Sequence, residues 1–493
     1  MTRPRSHKPF SRTPPPAPLG KIENLHIGSG STFASTTATN IAIGLTGAAA
    51  AALAARVLGP VGRGQLAAIQ IWPGFLIVLS MAGMPEALSF FVARNPERGR
   101  QNVSTGILIA LSASVLFIVF GVFVLPFALK SQGHVIVTDA QYALLLLPPY
   151  LLATLPAQAL RGANDYLRWN ISRFSLTGGW LLVLVGAAVF SITGTFHVTP
   201  GQLAGAFVVE VALMAAPIVL VSYRRLKGPL GPAADLVRPL TRFGVPAMFA
   251  TFPQWLNLRV DQLVIAGFLP ARQLGLYAVA VAWAQVVSPV LNALGSMVLP
   301  RLARERDPKH RGAMFAHASR LGILLAVIVV VPTLAVTPFA IQLVFGHAFV
   351  GSIPSALLLV IGGGLLGLNY ILSEALLGSG WTGGPVRAQF IGLIVTGVTL
   401  AALLGSYGIL GAAISSVAGY GTTTLWLLFE GKKLNQIHLR SLIIPGGHEF
   451  ALLRPRRRSA NREKMLVEQS IISEQGIGEW GDGSGTDPPA TAD

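Results

Sequence analysis

From about residue 33 to residue 430 the chain is a succession of apolar runs of roughly twenty residues or more, separated by short polar stretches rich in Arg, Lys and Pro. A helical run of that length crosses the hydrocarbon core of a bilayer. Twelve such runs are present, at about 33–55, 66–93, 103–129, 140–160, 171–193, 200–222, 243–269, 275–299, 314–337, 354–378, 386–406 and 408–430. The pattern predicts an all-α integral membrane protein with about twelve transmembrane helices.

The seventh run breaks the apolar pattern. Within Gln254-Trp255-Leu256-Asn257-Leu258-Arg259-Val260-Asp261-Gln262 it carries both a cation and an acid. Each costs roughly 2.5–3.5 kcal/mol at the centre of a membrane helix, so each needs a compensating role. Read as one continuous helix, Arg259 and Asp261 point to opposite sides. Asp261 then shares a face with Asn257 and Gln254, and Arg259 shares one with Trp255 and Gln262. Pro253, just before, removes one backbone hydrogen bond. The charges either pair with neighbouring helices or serve a polar pathway, and intramembrane charges favour the second reading.

Other spans hold fewer polar groups. Glu86, Glu210 and Glu374 lie inside runs, and with Asp261 they are candidates to carry a coupling ion. A hydrogen-bonded Glu between helices explains each of the three as well. Gln285 and Asn292, seven apart, form a short polar stripe on the eighth run; amides bonded across helices are the plain alternative. Glu430 falls at a span end and reads as interfacial.

Composition supports the membrane assignment. Only 12% of residues are charged, 52% are apolar, and the mean hydropathy is +0.61. A soluble chain carries about 25% charged residues. The net charge of +17 would point to nucleic acid in a soluble protein. Here the positive-inside rule accounts for it, and no nucleic-acid partner is implied. With the N-terminus inside, inner loops hold eighteen Lys and Arg, and outer loops hold four: Arg56, Arg63, Lys130 and Arg272. That asymmetry places both tails in the cytoplasm.

The first 32 residues are basic and rich in Pro and Ser, with no apolar core of signal-peptide length. The expected organisation is a disordered cytoplasmic N-tail (1–32), a six-helix lobe (33–222), a basic cytoplasmic linker (223–242), a second six-helix lobe (243–430) and a disordered cytoplasmic C-tail (431–493). The chain has no cysteine, so disulfides, iron–sulfur clusters and thiolate zinc sites are excluded. No HExxH, nucleophile elbow, Walker loop or dinucleotide fingerprint occurs in a suitable context. No metal or cofactor is expected, and the reading is a transporter rather than an enzyme.

Two segments recur. Leu58…Gly64-x-Leu66-Ala67 matches Leu269…Gly275-x-Tyr277-Ala278 at an offset of 211, and Ala159-Leu160-Arg161-Gly162 matches Ala375-Leu376-Leu377-Gly378 at an offset of 216. Each follows the same span of its half in the same orientation, which predicts two parallel six-helix repeats. At the first offset Arg259 and Asp261 correspond to Ala48 and Ala50.

Several short motifs, in order, resemble a known family. Ala55-Arg56-Val57-Leu58-Gly59-Pro60-Val61-Gly62-Arg63-Gly64 resembles the segment after the first helix of polysaccharide-biosynthesis flippases. Arg259-Val260-Asp261-Gln262-Leu263, Leu274-Gly275-Leu276-Tyr277-Ala278 and Leu299-Pro300-Arg301-Leu302 resemble its seventh and eighth helices. Phe345-Gly346, Ala375-Leu376-Leu377-Gly378 and Tyr407-Gly408-Ile409-Leu410-Gly411 resemble its second-half signatures. These are the lipid-linked oligosaccharide flippases of the multidrug/oligosaccharidyl-lipid/polysaccharide exporter superfamily.

The resemblance implies two MATE-like lobes around a central cavity, working by alternating access in the bacterial cytoplasmic membrane. The implied substrate is an undecaprenyl-diphosphate-linked oligosaccharide, carried outward for cell-surface polysaccharide synthesis. Implied partners are membrane lipids, a glycan polymerase and glycosyltransferases of the same pathway. The first helix carries no basic residue in its core, unlike the superfamily's lipid II flippases. A diphosphate with a hydrated glycan needs a polar cavity, and a guanidinium suits a diphosphate. The candidate cavity set is therefore Arg259, Asp261, Asn257, Gln254, Gln285 and Asn292. Two alternatives stay open: a cation-coupled multidrug exporter of the same superfamily, and a membrane glycan polymerase or ligase. The longest outer loop, about 338–353, is short and mostly apolar, which disfavours the last.

Overall fold

A computed structural model describes residues 30–194, 198–435 and 438–444. Of the expected tails, residues 1–29, 436–437 and 445–493 lie outside the described residues, while the start of the expected C-tail is helical over 431–435 and 439–443. Fifteen α-helices run in chain order among them: α1 (Gly30–Met81), α2 (Met84–Arg94), α3 (Gly99–Ala128), α4 (His134–Ala143), α5 (Leu147–Gly162), α6 (Tyr166–Ile192), α7 (Pro200–Arg225), α8 (Ala234–Asn257), α9 (Val260–Phe268), α10 (Ala271–Ala284), α11 (Ser288–Arg304), α12 (Pro308–Val344), α13 (Ile353–Gly378), α14 (Gly383–Asn435) and α15 (Leu439–Ile443).

Among the described residues, nine helical stretches are long and apolar enough to cross a membrane. Two of them, α1 and α14, are double spans. Gly59 (φ 65°, ψ −178°) divides α1 and Gly408 (φ 53°, ψ −133°) divides α14. Glycine alone takes positive φ without steric cost, so one residue suffices to redirect the chain between spans. Pro60 then opens the second helix at a position that needs no amide donor. The seventh span is the pair α8–α9, which is interrupted and falls outside that set of nine. The twelve spans follow. They form two parallel six-helix repeats, spans one to six and seven to twelve, in a MATE-like two-lobe arrangement. Outward-facing apolar side chains are numerous, with Ile192 86% and Phe127 79% exposed. Such surface is stable against lipid, not water.

Breaks inside spans are the main departure from the run-by-run reading. The second span breaks at Ala82–Gly83, both at positive φ. The fourth tightens through Leu144–Leu146 and the eighth through Gln285–Val287. The seventh breaks at Leu258–Arg259, where Arg259 caps α9 with φ −134° and ψ −14°. A single continuous helix through Arg259 and Asp261 is therefore replaced by two helices that meet there.

The half-spans attach differently. Gly83 approaches Gly244 so closely that a Cβ on Gly83 would strike the Gly244 carbonyl, and one on Gly244 would crowd Met84 and the Ala82 carbonyl. Phe243 stacks on Phe90 at 4.6 Å between ring centroids. Arg98 donates two hydrogen bonds to Asp235, at 2.7 and 3.0 Å. Arg100 holds the intervening loop through the carbonyls of Tyr223 and Gly228. Thus α8 rides on the first lobe while also touching α14, whereas α9 sits on α10 and α14 of the second.

The Arg98–Asp235 pair is exposed, so screening limits its contribution. Arg98's hydrogen bonds hold the Asp235 carboxyl below its ordinary range. Its contribution is complete above the unfolded value, about 3.9, and fades as pH falls through the lower folded value. Asp235→Asn is expected to change the unfolding midpoint little at neutral pH, and less still in high salt. A large drop, read by thermal unfolding in detergent, would show that the α8 anchor depends on this pair.

The opposite end of the lobe interface is closed by symmetric packing. A Cβ on Gly64 would strike the carbonyl of Ala271, four residues before Gly275. A Cβ on Gly275 would strike the carbonyl of Pro60, four residues before Gly64. The two glycines are the equivalents at the 211-residue offset. Arg56 donates to the last carbonyls of α12, Leu343 and Val344, where a cation suits the helix C-terminus. Gln132 donates to the carbonyls of Ala266 (2.8 Å) and Leu269 (2.9 Å).

Candidate functional site

Charges of both lobes approach each other next to this closed end of the interface. Arg63, read from the sequence as an outer-loop residue, instead lies inside α1, just past the Gly59 bend. Its guanidinium and that of Arg259 are near enough to repel each other. Arg63 Nε is buried and has no hydrogen-bond partner among the described residues. No carboxylate there forms an ion pair with either guanidinium. The first lobe supplies one cation and the second supplies the other; Asp261 lies within electrostatic reach of Arg259 but forms no direct ion pair with it. The signal for Arg63 was present in the sequence: Gly59-Pro60 is a bend followed by a helix start, which puts Arg63 in the first turn.

Asp261 takes a different role from its neighbour. It is 2% exposed and fully engaged. Tyr277 Oη donates to its Oδ2 at 2.5 Å, Ser416 Oγ donates to the same oxygen at 3.0 Å, and the Gln262 amide donates to Oδ1 at 2.7 Å. One turn back, Asn257 Oδ1 accepts from Thr396 Oγ1 at 2.9 Å and its carbonyl accepts from Tyr420 Oη at 3.3 Å. Asn369 and Thr424 extend the network. Tyr277, Ser416, Thr396 and Tyr420 come from spans eight, eleven and twelve, so only the folded bundle brings the first two to Asp261 and the last two to Asn257. Sequence reading missed them because hydroxyls in apolar helices are common and carry no spacing signal.

The remaining candidates separate by environment. Gln254 is exposed, unlike Asn257 and Asp261, so the polar stripe splits at the helix break. Gln285 and Asn292 are exposed on the eighth span. Glu86 is exposed in the first turn of α2, where an acid suits the helix N-terminus. Glu374 is half-buried beside Tyr370. Glu210 is 6% exposed, packs against Gly179, and leaves both carboxyl oxygens without a partner among the described residues. Glu430, at the end of the twelfth span, is buried against its neighbours; Trp381 Nε1 donates to it at 3.0 Å and Arg387 lies 3.5 Å away. Among the described residues no three His, Asp or Glu converge as metal ligands.

Beside α9 lies a crevice of about 300 Å³ between the lobes. Trp72, Phe127, Leu263, Val264 and Phe268 line it, and Lys130 sits at its edge over the Phe268 ring at 5.7 Å. It is apolar on all sides but one. Leu263 lies one turn beyond Arg259 on α9, which brings the crevice next to the charged centre.

Comparison with known proteins agrees with this architecture. Among solved structures the chain is similar to the lipid II flippase MurJ in an inward closed conformation, with TM-score 0.66 and 15% identity over 90% of this chain and 99% of that one. It is similar to an inward-facing multidrug resistance MATE family transporter of the MOP superfamily, with TM-score 0.59 and 16% identity over 84% and 97%. The eukaryotic MATE transporter AtDTX14 follows, with TM-score 0.54 and 15% identity over 84% and 98%. At these identities the likeness is one of fold. No curated protein matches the sequence. Residues 30–305, more than half the chain, match the family model described as polysaccharide biosynthesis protein. The chain is a multi-pass membrane protein with the MOP-superfamily fold, and it belongs to the polysaccharide biosynthesis protein family.

Proposed function

We propose that this protein is a flippase that moves an undecaprenyl-diphosphate-linked oligosaccharide across the bacterial cytoplasmic membrane by alternating access. The observation that carries the reading is the Arg63–Arg259 pair. Two guanidiniums from opposite lobes lie within electrostatic reach of each other, the nearby Asp261 carboxylate is already bonded to Tyr277, Ser416 and the Gln262 amide, and a diphosphate supplies further negative charge in a geometry that a guanidinium matches bidentately. The neighbouring apolar crevice suits a hydrocarbon chain, and the family description points to glycan synthesis. Gln254, Gln285 and Asn292 are exposed amides suited to sugar hydroxyls, and Asn257 stays in the Asp261 network. Membrane lipids surround the protein; glycosyltransferases and a glycan polymerase of the same pathway are its functional partners.

Asp261 is the preferred coupling group, because it is buried, sits two residues from Arg259 and bridges three spans. Glu210, Glu374 and Glu86 are the further candidates. That network also favours the second reading, a cation-coupled multidrug exporter. Reconstitution separates the two. Protein in liposomes is expected to move a fluorescent undecaprenyl-diphosphate oligosaccharide to the far leaflet, where an impermeant quencher reports it. Export of a cationic dye with no movement of the lipid-linked glycan would overturn the flippase reading.

Both tails are assigned to the cytoplasm. The absence of native cysteine makes a direct test simple. Lys227→Cys and Lys309→Cys are expected to stay unlabelled by an impermeant thiol reagent in intact cells, and Lys130→Cys and His347→Cys are expected to react. The reverse pattern would invert the topology.

A further inference from the structure

A second cavity lies far from the cation pair along the chain, at the start of α12. The short helix α15 crosses α12 there. Ser319 Oγ donates to the Leu442 carbonyl and Arg320 Nη1 to the Ser441 carbonyl, each at 2.8 Å, and Leu442 is fully buried. Between α12, α15 and the end of α14 a space of about 380 Å³ remains. Lys309, Gly312, Ala313, Ala316 and Arg320 line it from α12, with Asn435 and Ser441 opposite. The α12 positions recur every three or four residues and so form one face of that helix. Small residues leave room at the middle of the face, and a cation stands at each end.

The depth of this cavity follows from the sequence. Beyond Arg320, α12 continues as Leu321-Gly322-Ile323-Leu324-Leu325-Ala326-Val327-Ile328, with no charge. Arg320 therefore marks the edge of the hydrocarbon, and Lys309, three turns earlier, stands in the headgroup layer or in water. Arg301, Arg304, Lys432 and Lys433 add positive charge at the same end. Among the described residues, Asp307 accepts from the Lys309 amide and Glu305 from the Asp307 amide, each at 3.0 Å. A phosphate at this depth meets cations on both sides, while acyl chains attached to it run beside the apolar part of α12.

We propose that this cavity binds the phosphate headgroup of an anionic glycerophospholipid, with Lys309 and Arg320 as its cationic contacts and α15 as its outer wall. A lone inorganic phosphate shares the charge but not the anchoring chains, so the lipid is the ligand the depth selects. Basic pockets at the inner ends of membrane helices hold anionic lipids by this combination of charge and burial.

The test uses the full-length protein purified in a neutral detergent. Short-chain phosphatidylglycerol is expected to raise the thermal unfolding midpoint in a saturable manner, and phosphatidylcholine and inorganic phosphate at equal concentrations are not. Lys309→Glu is expected to weaken the apparent affinity roughly fivefold or more. Ala313→Trp starts from an exposed position and fills the cavity without removing a charge. It is expected to abolish the stabilisation while leaving the midpoint without lipid unchanged. This second variant keeps the test valid if the charge reversal fails to fold. Equal stabilisation by inorganic phosphate, or by phosphatidylcholine, would overturn the lipid assignment. An unchanged response in Ala313→Trp, or no response of the native protein to phosphatidylglycerol, would overturn the site itself.

Discussion

Arg259→Gln is expected to lower transport of the lipid-linked glycan by roughly ten- to a hundredfold, the equivalent of losing one charge-assisted contact to a phosphate. It should also leave the thermal unfolding midpoint close to unchanged. The second half of that expectation is the sharper one. Arg63 and Arg259 repel each other, and no acid forms an ion pair with either among the described residues. Removing the Arg259 charge relieves that repulsion and forfeits an attraction to the nearby Asp261 carboxylate, so the two effects offset and no ion pair is stranded. A structural arginine behaves oppositely: its loss strands a buried partner and destabilises by several kcal/mol. Arg63→Gln is expected to mirror Arg259→Gln, and Arg259→Lys to keep part of the activity, since a point charge attracts phosphate without the bidentate fork. The two measurements are a leaflet assay in proteoliposomes and a melting curve of the same preparations. Normal transport in both single variants would remove the cation pair from the mechanism. A fall in midpoint that tracks the fall in transport would assign the arginines to the framework.

Gly64→Val is expected to be the most damaging substitution at the closed end of the lobe interface. The added side chain has to enter the space of the Ala271 carbonyl, which belongs to backbone and has no rotamer to move aside. Overpacking a well-filled core costs about 1–3 kcal/mol, and a backbone obstacle puts this case at or above the upper end. The lobes must separate there or α10 must shift, so both the midpoint and transport are expected to fall. Gly275→Val should act in the same way through Pro60. Gly47→Ala is the control: it lies on the first span with open space at its Cβ and should be neutral or slightly stabilising, as expected for Gly→Ala in a helix. A Gly64→Val protein with a native midpoint and native transport would show that the lobes do not meet there during the cycle.

Much of the architecture was legible in hydrophobic run length alone, because a bilayer fixes the length of a span. All twelve spans lie near the positions that run length gives them. What run length does not carry is the break. Leu258–Arg259 is apolar-polar sequence like much of the seventh run, and the interruption there depends on α8 being held by Gly83, Phe90 and Arg98 of the other lobe. The site was partly legible. A lone Arg and Asp in mid-membrane were conspicuous, yet their separation into a cation site and a hydrogen-bonded network needed Tyr277, Ser416 and Arg63. Those residues lie between 16 and 196 positions away from the two charges, and nothing local marks them as neighbours. Arg63 was misplaced for a simpler reason: a charge between two apolar runs reads as loop unless Gly59-Pro60 is taken as a bend that spends a single residue.

The reciprocal contact of Gly64 and Gly275 has a further meaning when considered as symmetry. Residues that are equivalent in a duplicated chain touch one another only where the two-fold axis passes. A dimer of two identical six-helix units would bring one glycine against its own copy there, an isologous contact in which every substitution counts twice. In the fused chain the two sides are free to differ, and next to the axis they do. The mate of Arg63 is Leu274, and the mate of Arg259 is Ala48. A truly symmetric pocket holds its ligand equally well in two orientations related by the axis. Here each cation lacks its twin, so the degeneracy is lifted, and the proposed headgroup, with its distinct diphosphate and glycan ends, would have only one way round.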